Sequence, residues 1–310
     1  MKTFTRDDGR VLSVVEGYRN RVLSQRPGYT PRPDWGNEQY AAAAKKKVKR
    51  TRALLDEFAR WGGRIEGARV LDVACGDGIN CLLIGLQPVQ EVVGIDLELP
   101  LLEPVARFER ARRMAAEVCT EVGVEGEIDE ILGRLPVRLL KMDATAIQFG
   151  DDGFDLLISR SAIEHIMPVG RSLAEMARVV PPGGLVHLST DPYFSPQGCH
   201  KTGVVDIPFA HARLSLKEYR RFVTESEGEN LARERCQRLE TLNPFTIRQW
   251  REMIEVNPFE ILEWCEEPSS IAETLLAEYP EVTHTMLEGV DHHDLIHARL
   301  KMWLRKRRGA

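Results

Sequence analysis

The sequence predicts an α/β fold in one large domain, on three observations. Apolar runs of strand length alternate with longer amphipathic segments. The run Val70-Leu71-Asp72-Val73 breaks at Gly76 and Gly78, then passes into Ile79-Asn80-Cys81-Leu82-Leu83-Ile84, which can start a helix. Two further runs, Glu91 to Asp96 and Val137 to Met142, lead to the carboxylates Asp96 and Asp143. At 310 residues the chain can bury a full core, so one α/β domain with additions is the simplest count.

Taken in order, residues 1–40 read as irregular, with Pro27, Gly28, Pro31 and Pro33 marking a loop before Trp35 and Tyr40. A helix is predicted from about Glu38 to Trp61. Val48, Leu54, Leu55 and Phe58 lie on one side, opposite Lys45, Lys46, Lys47, Lys49, Arg50 and Arg52. That basic face reads as solvated; the sharper reading is a patch for an anionic substrate. Gly62-Gly63 ends the helix. The glycine turn after the first strand lets backbone approach a ligand, and the helix start behind it offers N–H groups to an anion. Asp96 closes the second strand about twenty residues later, the spacing of an acid on a ribose hydroxyl pair. That would also suit NAD, but Cys81 stands at the third fingerprint position and Asp72 lies inside the first strand.

A long helical region follows from Glu103 to about Glu121, carrying Arg107, Arg110, Arg112 and Arg113, then a piece from Glu127 to Leu135. The third strand reaches Asp143-Ala144. Asp151-Asp152-Gly153 turns into the fourth strand, Phe154 to Ser159. Leu173, Met176, Ala177 and Val180 share one face of a helix from Val169 to Val180, which Pro181-Pro182-Gly183-Gly184 stops. Leu185 to Thr190 is the fifth strand. Residues 191–243 are an insertion with a charged helix from Leu216 to about Leu239. Thr246 caps a helix to Val256, and Phe259 to Glu266 is the sixth strand. From Asp294 onward Ile296, Ala298, Leu300, Met302 and Leu304 alternate with polar residues, as in an antiparallel strand near a sheet edge.

Composition narrows the function. The net charge of −5 gives no pull towards nucleic acid. Six cysteines, at 75, 81, 119, 199, 236 and 265, form no CxxC pair, so neither a zinc ribbon nor a disulfide framework is expected. Reduced thiols fit a cytoplasmic protein. The start of the chain, with Arg6, Asp7, Asp8 and Arg10, lacks a signal-type apolar core. No stretch reaches the roughly 18 apolar residues of a membrane helix.

Five motifs in order carry a resemblance: Val70 to Gly78, Val93 to Asp96, Met142-Asp143-Ala144, Phe154 to Ile166, and Ala177 to Gly184. In them the chain resembles class I S-adenosylmethionine-dependent methyltransferases of the type 11 small-molecule group. The likeness is good over 70–190 and loose towards the C-terminus. It implies a Rossmann-like, seven-stranded, mostly parallel sheet of order 3-2-1-4-5-7-6, with strand seven antiparallel and helices on both faces. It implies S-adenosyl-L-methionine as cofactor and a small-molecule methyl acceptor as partner. Gly76 and Gly78 would pass under the methionyl part, in a loop of Ala74, Cys75, Asp77 and Asn80. Asp72 would order that loop or reach the methionyl amine. Asp96, beside Leu97, would accept the ribose hydroxyls. Asp143, between Met142 and Ala144, would accept from the adenine amino group. Ser159 and Arg160 would line the sulfonium side.

Some relatives hold a divalent metal with a Glu-x-x-Glu-His run. Here Ser161 replaces the first glutamate ahead of Glu164-His165, so no metal is expected. Asp291-His292-His293-Asp294 with His297 also looks metal-like, but reads as a solvated turn. Arg160-Ser161-Ala162 stands where base-amino methyltransferases carry Asn/Asp-Pro-Pro-Tyr, so a nucleic-acid acceptor is not expected. An O- or N-nucleophile on a natural product, sugar or lipid precursor remains open. So do a non-turning-over cofactor-binding scaffold and aminopropyl transfer. The expected division is an N-terminal loop and helix cap, 1–62, and a cofactor-binding domain, 63–310, with an acceptor lid at 191–243. Should the acceptor be a hydroxyl, a histidine base would help. His200 leads because Gly198 and Gly203 flank it; His211 and His165 follow. His187 reads as core.

Overall fold

The computed structural model describes residues 2–25, 35–103 and 105–309. The proline-marked loop at Pro27, Gly28, Pro31 and Pro33 lies outside them. Strands β1 (Lys2–Thr5) and β2 (Val11–Val14) form an antiparallel hairpin. The main sheet comprises β3 (Arg69–Val73), β4 (Glu91–Asp96), β5 (Val137–Lys141), β6 (Leu156–Arg160), β7 (Leu185–Thr190), β8 (Phe259–Pro268) and β9 (His297–Lys306). Its order is β5-β4-β3-β6-β7-β9-β8, with β9 antiparallel to both neighbours. Numbered as predicted, that is 3-2-1-4-5-7-6 with strand seven reversed.

Alternate residues of the central strands enter two cores, which is why these runs are apolar throughout. Val70, Val92, Leu156 and Ile158 face helices Asn37–Arg60, Ile79–Gly85 and Glu109–Glu121. Leu71, Val93, Leu157 and Leu188 face helices Val169–Val179 and Ile247–Glu255. Thr246 caps the latter in a reciprocal box with Gln249.

A third apolar cluster stands apart from the sheet. It joins Phe4, Leu12, Tyr18 and Val22 to Ile207, Phe209, Tyr219 and Phe222 of the insertion, and to Leu275, Val282 and Leu295. Residues 2–25 are therefore not irregular: they hold the hairpin and a helix, Tyr18–Ser24. Their apolar residues are too sparse to show a period, and their partners lie some 185 residues or more along the chain. Arg6 Nε donates to Glu218 Oε1 at 3.3 Å, and Asp7 N–H to the same oxygen at 2.8 Å.

Two other expectations change. The charged helix breaks at Gly228, where φ is +94°, into Leu216–Glu227 and Glu229–Leu239. The last strand begins at His297; Asp294 and Ile296 belong to the short helix His292–Ile296, which Asp291 and Asp294 cap reciprocally. The alternation ran past the strand because a capping box imitates it.

Candidate active site

The loop between β3 and helix Ile79–Gly85 turns at Ala74, Gly76 and Gly78, all at positive φ. Its N–H groups are not all open to an anion as the sequence suggested. Asp96 Oδ2 accepts Gly76 N–H at 2.8 Å, and Asp77 Oδ1 accepts Ile79 N–H at 3.2 Å. Asp96 Oδ1 also takes the N–H of Leu97 at 2.7 Å and of Glu98 at 3.3 Å. The carboxylate at the end of β4 thus locks the glycine loop. Leu97 beside it is 71% exposed. Asp143 lies two residues past Lys141, the register partner of Asp96. Its Oδ1 accepts from Thr145 N–H at 2.7 Å and Thr145 Oγ1 at 2.8 Å. Those bonds hold Asp143 below the usual carboxylate range.

Asp72 is buried inside β3 and orders the loop from below. Asn80 Nδ2 donates to its Oδ2 at 2.8 Å, and Cys81 Sγ sits 3.6 Å away. Burial raises the Asp72 carboxyl to about 6, against the opposing pull of Asn80 and Arg160. Asn80 Oδ1 in turn accepts from Thr51 Oγ1 at 3.0 Å and Arg160 Nη1 at 3.3 Å.

A cavity of about 860 Å³ opens here, on the side of helix Asn37–Arg60. Asp72, Ala74, Cys75, Asp77, Asn80 and Arg160 line it, as do Ser161, Ser189 and His187. Its lining includes neither Asp96, at the end of β4, nor Asp143, two residues past β5. Ser159 does not line it: that side chain is fully buried, and among the described residues its hydroxyl has no hydrogen-bond partner. The basic helix is mostly solvated, but Lys47 reaches Asp77 Oδ2 at 2.7 Å and Arg50 turns to the cavity. The far wall is β9, through Arg299, Lys301 and Trp303. Sequence reasoning missed these three as site residues. The signal was present: the three sit together on one face of a strand that alternates with period two. A larger cavity, about 1130 Å³, opens at the opposite end of the sheet between Gly62-Gly63 and Pro181-Pro182-Gly183-Gly184. Ligands of parallel sheets bind at the strands' C-terminal ends, so we place the site at the smaller one.

Two of the three histidines come together at the C-terminal ends of β6 and β7. The His165 and His200 rings lie 4.9 Å apart, and their nitrogens and a Glu164 oxygen fall within 4.8 Å of one another. Glu164 is buried and accepts from Thr190 Oγ1 at 3.0 Å. Burial, with Asp191 nearby, pushes its carboxyl up to about 7. Burial pushes His165 down. The loop carrying His200 folds tightly: a Cβ on Gly198 would stand 1.9 Å from the Pro192 carbonyl. His211 is elsewhere, buried in the insertion with Nε2 2.8 Å from the Ser195 carbonyl, and burial lowers it to about 4. His187 is buried against Trp303, ring centroids 4.3 Å apart.

Residues 71–188 match the family model described as a methyltransferase domain. The match covers the glycine loop and runs from β3 to β7, so this stretch is similar to a methyltransferase domain. An uncharacterized methyltransferase of Mycobacterium tuberculosis (strain ATCC 25618 / H37Rv) is 27% identical over 138 residues, 44% of this chain and 56% of that one. A demethylmenaquinone methyltransferase of Symbiobacterium thermophilum is 27% identical over 173 residues, 51% of this chain and 61% of that one. The chain thus spans less than two thirds of either relative. The solved structure of an S-adenosylmethionine-dependent methyltransferase from Mesorhizobium loti aligns with a TM-score of 0.42 at 18% identity, over 78% of this chain and 92% of that one. Within the matched stretch, Gly94 is a residue that sequence reasoning passed over. A Cβ there would lie 2.6 Å from Cys81 Sγ and 2.7 Å from Leu139 Cδ2, so only glycine lets the loop helix seat on β4.

Proposed function

We propose that the chain transfers a methyl group from S-adenosylmethionine to a small-molecule acceptor. The observation that carries this is the pair Asp96 and Asp143 at the ends of adjacent strands, with the first locking the glycine loop. The residues fit the cofactor. Asp96 keeps acceptor capacity beyond its backbone bonds for a hydroxyl pair. Asp143 Oδ2 is left for an amino group, and exposed Leu97 offers an apolar face to a base. When bound, S-adenosylmethionine supplies a methyl group on a sulfonium. The protein's part is positioning, worth about 7–11 kcal/mol when a nucleophile is held in line. Arg160, tied to Asn80 and near Asp72, keeps its charge and orients polar groups in the cavity. The volume falls within the roughly 300–1,000 Å³ of small-molecule sites.

For a hydroxyl acceptor, His200 and His165 are the proton acceptors. Partial burial lowers His165, which favours the neutral ring that a base requires. His211 serves packing: its neutral ring holds the Ser195 carbonyl. The acceptor is covered by the lobe built on residues 191–243. Calorimetry with S-adenosylmethionine tests the cofactor reading. Asp96→Ala should bind at least tenfold more weakly, since a charge-assisted hydrogen bond is worth about 1.5–3 kcal/mol. Unchanged affinity removes Asp96 from the site, and binding without turnover on any acceptor favours the scaffold reading.

A further inference from the structure

The histidine-rich stretch before β9 reads in sequence as a solvated turn, but folding gives it a different set of partners. Asp291 and Asp294, the nearest carboxylates, are occupied by the reciprocal helix cap, and Asp294 Oδ1 also accepts Ile247 N–H at 2.7 Å. In their place β8 supplies Glu266. His293 and His297 stand four residues apart with ring centroids 4.3 Å from each other. Both Nε2 atoms converge on one oxygen: Glu266 Oε2 is 2.7 Å from His293 and 3.8 Å from His297.

Two more hydrogen bonds hold these donors in place. Trp264 Nε1 donates to Glu266 Oε1 at 2.6 Å, which leaves Oε2 turned to the histidines. His297 Nδ1 lies 2.9 Å from the His293 carbonyl. A carbonyl oxygen only accepts, so Nδ1 carries the proton, and a neutral His297 ring presents its Nε2 lone pair to a carboxylate. Lone pair against carboxylate is unfavourable unless a metal ion, or a proton on Nε2, lies between them. An imidazole N–H on a carbonyl and an anchored carboxylate are the outer-shell bonds that metal ligands carry.

We propose that Glu266, His293 and His297 bind a divalent transition metal of the zinc, cobalt or nickel class. Two imidazoles and one carboxylate suit these ions. Tetrahedral ligands about 2.0–2.1 Å from an ion are about 3.3 Å apart, a spacing between the 2.7 and 3.8 Å observed here. The His293 side chain is 49% exposed, which gives the ion a path and leaves the fourth position to water. The ion joins β8 and β9 of the sheet to the short helix whose Leu295 packs in the third cluster, so it fastens that lobe to the sheet edge.

Titrating the full chain with cobalt(II), by calorimetry and visible absorption, tests this. One ion per chain should bind, with the absorption of a low-coordinate site. Glu266→Gln and His293→Ala should each weaken binding at least tenfold, since losing even an outer-shell partner costs about 10–100-fold. The half-exposed His293 can be replaced without disturbing the fold, and circular dichroism checks that. His200→Ala, in the other histidine–carboxylate group, should bind as the parent does. Unchanged affinity in both site variants, loss in His200→Ala alone, or no saturable binding overturns the proposal.

Discussion

Glu164 is a carboxyl whose surroundings favour the neutral form. Its folded value of about 7 stands above the ordinary 4.5 because burial and Asp191 oppose the charge. Between those values the unfolded chain binds fewer protons than the folded one, so stability falls as pH rises through that window. The gap corresponds to on the order of 3 kcal/mol. Glu164→Gln keeps an acceptor for Thr190 and removes the ionisation. Thermal melts should show the variant above the parent at pH 8, with the difference shrinking towards pH 5. A difference independent of pH would mean the parent carboxyl ionises without penalty. The residue was visible in the sequence as part of a Glu-His pair. Its neutrality was not, because Asp191 and Thr190 reach it only through the sheet.

The loop helix, β4 and β5 meet around Gly94. The sequence marks Gly94 as one residue of an apolar run, and strand propensity would prefer almost any larger residue there. Packing reverses that preference, since Cys75, Cys81 and Leu139 fill the space a side chain would take. Gly94→Ala should cost about 1–3 kcal/mol by overpacking, read as a lower denaturation midpoint at unchanged slope. It should also weaken cofactor binding, because the displaced helix carries Asn80 and the loop before it. A variant as stable as the parent would show that the helix shifts freely on β4. The start of the basic helix is held in a comparable way: Arg110 stacks 4.2 Å over Trp35 and Arg113 4.1 Å over Tyr40, roles that a count of arginines did not show.

At the scale of the molecule, two cores flank the sheet and a third belongs to a lobe assembled from residues 2–24, the insertion, and residues 272–296. A lobe with its own core can open as a unit. Hydrogen exchange followed by mass spectrometry should find these three segments exchanging together, faster than β3, β4, β6 and β7. Excising 191–243 would uncover Phe4, Leu12 and Leu275, so a clean test of the lid needs point changes inside the lobe. Should the N-terminal hairpin exchange with the sheet instead, the lobe is not one unit. No helix among the described residues is long and apolar enough to cross a membrane.

The sequence by itself determined the features that arise within a few residues of one another. The strands of the main sheet and most of the longer helices follow from period, the Thr246 cap from one side chain and its third neighbour, and the strand-end acids Asp96 and Asp143 from where apolar runs stop. The order of the sheet was implied by the family resemblance that the succession of motifs carries. Tertiary structure alone decided which histidines meet. His165 and His200 come together while His211 is sealed in a separate core, and Glu266 rather than Asp291 or Asp294 completes the second group. It also decided that β9 walls the cavity and that Arg6 pairs with Glu218. The physical reason is the same in each case. Local signals come from backbone hydrogen bonding and side-chain spacing along one element. Convergence of distant side chains depends on how whole elements pack, and no local period records that.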